Sequence, residues 1–531
     1  MKKWISVVLT LIMTALLFVP ANAALSKKET APLPTVYLMG QGFTLYADKN
    51  DTKSEKIHEI NVPDGYVGDV AKSLIRPLLK GLTANDWDEW LDTFVNAVEP
   101  LFAKQALDEN GEASNGSGVN FSSGRANKRR ADGTYTLNAY TPNYDWRLDP
   151  YVTADQLHVY IGQILAATGE TKVNLIGRSI GSSVLMAYLE RYGADELENI
   201  VLYCPSFYGM EVVSRAFSGK VDIDPDAVNR FVNYYASTGQ MDDLTGGLDA
   251  ELMQVVLDVV SLSVTLHSLD LPANALERIY EQIYGRLYPR LLVKMYGSMP
   301  SFWSLVGDED YEEAKALIFG GQEDTYAGLI EKIDRFHYRN LVRSEEILQG
   351  LIDEGAKLHI VAKYGVPMVP VIKDADTDGD MLTSVFSATL GATASPITGT
   401  LSGDYRKAAE QNGTAKYLSP DRHIDASTGI LPDHTWFIKN LAHRSMPECV
   451  NDVFGEILNA DGYFTVFDSE TLPQYLEYDL QNDELSPLTE DAADIADTWK
   501  PDFLLRLVNV LRYIFQKIAD ILKNIDFTRG R

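Results

Sequence analysis

A serine held between two glycines, Gly177-Arg178-Ser179-Ile180-Gly181, is the part of this chain best suited to chemistry. A serine hydroxyl becomes a nucleophile when a neighbouring base takes its proton, and it must stand clear of the backbone to meet a substrate. The flanks provide that setting. Residues 173–176 (VNLI) read as a short buried strand. Residues 182–188 continue as a helix, with Val184, Leu185 and Tyr188 at helical spacing. Strand, tight turn and helix make G-x-S-x-G a nucleophile elbow. Gly177 and Gly181 let the chain turn sharply because no Cβ blocks the strand or the helix. The five-residue pattern alone arises by chance about 0.1–0.2 times in a chain this long, so the flanks carry the reading.

The elements that must position Ser179 sit in a chain of 531 residues. That length exceeds one hydrophobic core of roughly 250–300 residues, so a main domain with a large insertion or a second domain is expected. Hydrophobic residues make up 45% and charged residues 23%, as in a globular protein. The formal net charge of −28 argues against a nucleic-acid partner. Two cysteines, Cys204 and Cys449, are too few for a disulfide framework and leave a single bridge open. Residues 1–23 read as a secretory signal, with Lys2 and Lys3, an apolar centre over 5–19, and Ala21-Asn22-Ala23 as cleavage site. An exported protein, extracellular or bound to the cell envelope, is therefore expected.

Further along, 35–39 (TVYLM) is a β-rich run followed by Gly40-Gln41-Gly42-Phe43. Residues 67–82 and 85–105 read as amphipathic helices, and 109–134, rich in Gly, Ser, Asn and Asp, as a mobile loop. Residues 144–147 are Tyr-Asp-Trp-Arg, and a helix over 155–168 leads to the elbow strand. This Y-D-W-R segment, one helix and one strand ahead of the nucleophile, resembles the lecithin:cholesterol acyltransferase-like group of α/β-hydrolases. The group includes phospholipases and acyltransferases. Arg178 stands where that group usually has His, and Ser182 where Gly is common. The resemblance implies an α/β-hydrolase fold, a mostly parallel sheet flanked by helices with a large helical cap before the acid-bearing strand. The expected division is a signal (1–23), a core in two parts (24–206 and 357–478), a cap (207–356), and an acidic linker with an amphipathic helix (479–531).

The resemblance also implies roles. The loop after 35–39 is where such a fold keeps half of its oxyanion hole, so the backbone N–H groups of Gln41 and Ile180 are the expected donors. The base follows the final strand. Residues 435–440 (TWFIKN) read as that strand and 447–458 as the next helix, which selects His443 over His434 and His423. Residues 357–365 (KLHIVAKYG) resume the sheet, and Asp374-Ala-Asp376-Thr-Asp378-Gly-Asp380 follows. Its Asp-Gly step resembles the acid-bearing segment of the family and selects Asp378. A calcium loop using Asp374, Asp376 and Asp380 is the rival reading, weakened because Val385 occupies the position of the bidentate acid. The order Ser179, Asp378, His443 is that of an α/β-hydrolase triad.

Within the expected cap, Phe302 and Trp303 are candidate acyl-pocket residues, and the apolar stretch 252–271 is broken by Gln254, Asp258, His267 and Asp270. Residues 502–526 form an apolar stripe beside Arg506, Arg512, Lys517 and Lys523, suited to packing on the protein or to peripheral contact with an anionic membrane. No cofactor is called for. The expected function is an exported serine esterase or lipase acting on lipid or phospholipid acyl esters. An O-acyltransferase would use the same acyl-enzyme, and an inactive envelope-binding protein is the rival from another class.

Overall fold

The computed structural model describes residues 25–490, except 26, 42–43, most of 58–87, 123–126, most of 221–289, 371 and 373–374. The signal expected at 1–23, the apolar stretch 252–271 and the helix expected at 502–526 lie outside these residues.

Seven strands form the main sheet: β1 (Thr35–Leu38), β2 (Val173–Arg178), β3 (Leu197–Tyr203), β4 (Lys357–Tyr364), β5 (Thr435–Lys439), β6 (Tyr475–Asp479) and β7 (Glu484–Pro487). They lie side by side in chain order. Every pair is parallel except β6 with β7, which close the edge as an antiparallel hairpin. This is an α/β fold with a mixed, mostly parallel sheet. Parallel neighbours need crossovers, and helices supply them. The helix α1 (Asp88–Phe102) and α2 (Pro150–Thr168) lie between β1 and β2, and α3 (Ile180–Tyr192) between β2 and β3. Among the described residues the segment between β3 and β4 has helices and no strand: α4 (Glu211–Ser218), α5 (Asp308–Phe319), α6 (Ala327–Phe336) and α7 (Ser344–Asp353). The last helix among the described residues, α8 (Val450–Asn459), lies between β5 and β6.

Alternation along the strands divides the interior into two cores, because successive side chains point to opposite faces. Leu175, Ile200, Leu202, Ile360 and Phe437 join the core under α2 and α3. Ile176, Val201, Val361, Trp436 and Ile438 join the other, against Val450, Val453, Phe454 and Ile457 of α8. Both faces are covered, which is why these strands read as nearly continuous apolar runs.

Three expectations change. The acid-rich stretch after 479 is not simply a linker, since β6 and β7 add two strands beyond β5. Leu476 sits on Ile438 through β6 pairing, and Leu488 closes the hairpin by donating its N–H to Tyr475 O at 3.0 Å. The helix before the elbow begins earlier than 155. Asp149 caps it by accepting from the Tyr151 N–H at 2.9 Å, and Pro150 takes the first position, where a missing N–H costs nothing. The loop at 109–134 is pinned by Tyr46 N–H to Gly118 O at 2.9 Å and Ser122 N–H to Asn143 O at 3.0 Å. Gly118, at φ 122°, admits the buried Asp145 carboxylate, which a Cβ would meet at 2.2 Å.

Candidate active site

Parallel strands end on one edge, and the chemistry gathers there. Leu38 pairs with Gly177, and Arg178 with Tyr203. The loops that leave β1, β2, β4 and β5 therefore converge at the carboxyl end of the sheet, where open α/β sheets bind ligands. Ser179 sits at the turn between β2 and α3 with φ 52° and ψ −123°. A non-glycine residue with positive φ is strained, and such strain persists where the surroundings enforce it. Two things enforce it here. The Ser179 N–H donates to Tyr203 O at 3.1 Å, and the Ser182 N–H donates back to Ser179 O at 2.7 Å. The glycines make room. A Cβ on Gly181 would stand 2.3 Å from Leu38 O, and one on Gly177 2.9 Å from Gly181 O.

His443 lies four residues beyond β5, buried at 3% exposure. Its Nε2 is 2.8 Å from Ser179 Oγ, and its Nδ1 is 2.7 Å from Asp380 Oδ2. The backbone repeats the contact: the His443 N–H donates to Asp380 O at 2.7 Å. Asp380 Oδ1 accepts from the N–H groups of Thr383 at 2.8 Å and Leu382 at 3.2 Å. With one oxygen held by backbone donors, the other is fixed on the imidazole. A carboxylate accepts only, so Nδ1 carries the proton and Nε2 is left to accept from Ser179.

The acid that meets His443 is thus Asp380 and not Asp378. Asp378 is fully buried two residues earlier and faces away. Its Oδ1 accepts from the Gly365 N–H at 2.7 Å, and its Oδ2 lies 3.2 Å from His423 Nδ1 without the alignment of a hydrogen bond. The same His423 nitrogen is 3.3 Å from Ser395 Oγ. The turn between the two acids decides the exchange. Gly379 and Ser384 stand opposite each other in a bridge made by their neighbours, with the Asp380 N–H donating to Thr383 O and the Val385 N–H to Asp378 O, each at 3.1 Å, and Met381 beside it takes φ 93°. Asp380 is committed to His443, Asp376 is exposed, and Asp374 lies outside the described residues. Among the described residues, Cys204, Asp380 and His443 place metal-ligating atoms within 4.8 Å of one another. Two of those three groups already satisfy each other through a hydrogen bond.

A pocket of about 560 Å³, part of it open to solvent, lies over Ser179. Gln41 and Ile180 line it together with Ser179 and His443. Ile180 begins α3, where the first N–H groups of a helix lack intrahelical partners. The Gln41 side-chain Nε2 is buried there without a hydrogen-bond partner. Met210, Val213, Phe302, Leu305 and Leu382 form an apolar wall. Trp303 is not in that wall. It turns into the helical layer, where its Nε1 donates to Gly297 O at 2.9 Å and its ring stacks on Phe319.

The Y-D-W-R segment frames the site. Tyr144 donates its hydroxyl proton to Met39 O at the foot of the Gly40 loop. Trp146 meets Phe302 edge to face at 6.2 Å. Arg147 and Asp145 form a buried two-point pair at 2.9 and 2.6 Å. Sequence reasoning did not single out Lys363 or the cationic role of Arg178. Both are charged residues near the ends of strands whose other positions are buried and apolar, which is the signal that marks them. Cys204 and Cys449 are free thiols, and burial pushes both above the ordinary thiol range, Cys449 to about 12.

No family model and no curated protein matches this chain. Among solved structures it is similar to a serine hydrolase from the polyaromatic-hydrocarbon-degrading bacterium Cycloclasticus zankles, at 14% identity and a TM-score of 0.14. The overlap covers 40% of this chain and about half of that one, 54%, so fold and site rest on the geometry above.

Proposed function

We propose that this chain is an exported serine hydrolase of carboxylic esters that works through an acyl-enzyme on Ser179. The observation that carries the reading is the unbroken chain Asp380–His443–Ser179, at 2.7 and 2.8 Å, ending at an apolar pocket. His443 Nε2 takes the proton of Ser179 Oγ as the oxygen attacks the ester carbonyl. Asp380 holds the tautomer and stabilises the imidazolium that results. The backbone N–H groups of Gln41 and Ile180 are the donors proposed for the oxyanion. Losing one such donor typically costs about 10²–10³ in kcat. The alcohol leaves with the proton from His443, and water then repeats the sequence on the acyl-enzyme. The apolar wall suits a lipid or phospholipid acyl chain, with the described helical segment between β3 and β4, which supplies Met210, Val213, Phe302 and Leu305, as its cap.

A fluorophosphonate probe tests the reading. The wild-type chain should gain one covalent adduct on Ser179, and Ser179→Ala should gain none. Folded wild type that stays unlabelled would leave a binding protein in its place. Ester hydrolysis against chain length, with and without an added alcohol acceptor, separates hydrolase from acyltransferase.

A further inference from the structure

The turn that carries His443 presents four successive carbonyls to two buried cations. Lys363 Nζ donates to Ala442 O at 3.0 Å, His443 O at 2.9 Å and Ser445 O at 2.7 Å. Arg178 Nη2 donates to the remaining one, Arg444 O, at 2.5 Å. Lys363 is 1% exposed and Arg178 3%. They come from neighbouring parts of the same sheet edge, Arg178 as the last residue of β2 and Lys363 as the penultimate residue of β4. Between them stands Tyr203 of β3, with Lys363 Nζ 4.5 Å from its ring centroid and the Arg178 guanidinium 5.9 Å from it.

We propose that Lys363 and Arg178 are positioning residues that clamp the 442–445 turn and so hold the His443 imidazole against Ser179. The inference rests on reading His443 as the base. The stoichiometry of donors supports it. An ammonium has three N–H groups and no acceptor, and here three carbonyls take all three. A buried charge is costly unless it is fully hydrogen-bonded, so a cation at this place has to be matched by the turn it binds. A neutral amine would keep two donors and turn a lone pair toward a carbonyl, which opposes the turn instead of holding it. Arg178 also accounts for a departure in sequence, since it occupies the position just before the nucleophile.

The clamp is sensitive to pH. Burial lowers Lys363 to about 8, against the opposing pull of Cys204 and Asp380 and with a further lowering by Arg178. These groups, with Tyr203 and the His443 turn, are the titratable and charged neighbours that face it. The ammonium form is therefore lost as pH rises through about 8, and the clamp loosens on the alkaline side.

Two readouts on the full chain test this between pH 6 and 10. One is the rate of Ser179 labelling by a fluorophosphonate. The other is hydrogen exchange at the amides of His443 and Ser445, which donate to Asp380 O at 2.7 Å and Ala442 O at 3.0 Å. Wild-type labelling should fall with a midpoint near 8, and exchange, corrected for its intrinsic base catalysis, should rise over the same range. Lys363→Met should label about tenfold to a hundredfold more slowly at pH 7, as expected for a displaced base, and should lack the alkaline limb. Lys363→Arg, which keeps the charge, should recover part of the rate. Wild-type labelling and protection that stay constant to pH 10, or a folded Lys363→Met that matches wild type in both, would overturn the proposal. If Lys363→Met does not fold, the two wild-type curves decide. If wild type does not label at all, the hydrolase reading fails, and the exchange curve alone still decides the clamp.

Discussion

Asp378 and Asp380 stand two residues apart, and each faces a buried imidazole. Around Asp380 every contact is aligned: two backbone donors on one oxygen, His443 on the other, and Ser179 beyond it. Around Asp378 the contacts serve the fold. It receives the Gly365 N–H where β4 ends, and His423 lies beside it out of line, sharing its nitrogen with Ser395. Both sets contain an acid, an imidazole and a serine. Residue types and even proximity are thus insufficient for chemistry. What differs is direction: on one side the acid and the serine meet opposite nitrogens of the ring, and on the other they crowd the same one. Only the first arrangement can pass a proton through the imidazole.

The largest effect expected lies on the Asp380 side. Ser179→Ala should lower kcat for an activated ester by about 10⁶, as losing the nucleophile does in comparable triads, with thermal unfolding unchanged. Ser395→Ala should leave kcat within about threefold, since no aligned relay ends on it. A comparable loss in both would erase the distinction between the two sites.

On the other side the expected effect is on stability. Asp378→Ala strands the buried Gly365 N–H and should cost about 1–3 kcal/mol in urea denaturation. An unchanged urea midpoint would mean that Asp378 contributes nothing to the fold.

A third imidazole extends the contrast. His359 is fully buried, neither of its nitrogens has a hydrogen-bond partner, and burial, then His434 and Lys357, hold it well below its ordinary value. The unfolded chain binds a proton that this folded site refuses. Stability should therefore decline as pH falls below about 6.5, by up to about 1.4 kcal/mol per pH unit until the folded site itself titrates. Comparing denaturation at pH 7.5 and 5 in wild type and His359→Leu checks this, and equal acid sensitivity in both would assign the decline elsewhere.

The smallest effect concerns the pocket wall. Phe302→Ala should shift the preferred acyl chain toward longer or branched esters by several-fold in kcat/KM, about 1–3 kcal/mol of discrimination at most. Trp303→Ala, away from the pocket, should instead lower stability without moving chain preference.

Much of this site was legible in the chain. Ser179 and His443 each sit where a change of hydrophobic period announces strand, turn and helix, and local sequence decides such places. Gly181 was legible for the same reason, since only glycine passes Leu38 O. The acid was not. The run from 374 to 380 alternates Asp with other residues, and which carboxylate meets His443 depends on the φ of Met381 and on the Gly379–Ser384 bridge. Those are set by tertiary contacts, not by residue type. The β6–β7 hairpin was missed because β7 is exposed and polar, so its sequence lacks the buried, largely apolar run that marks β2 to β5. Lys363 was read as part of a strand because its partners are backbone carbonyls 79 to 82 residues away, invisible to any local pattern.

The central claim is that Asp380, held by its own turn, orients the base. The most direct test is kcat for ester hydrolysis by Asp380→Asn beside Asp378→Asn, each confirmed folded by circular dichroism. An amide at the orienting position favours the wrong tautomer, so Asp380→Asn should lose about 10⁴ in kcat while Asp378→Asn stays within about tenfold of wild type. The reverse ranking, or equal losses, would contradict the account.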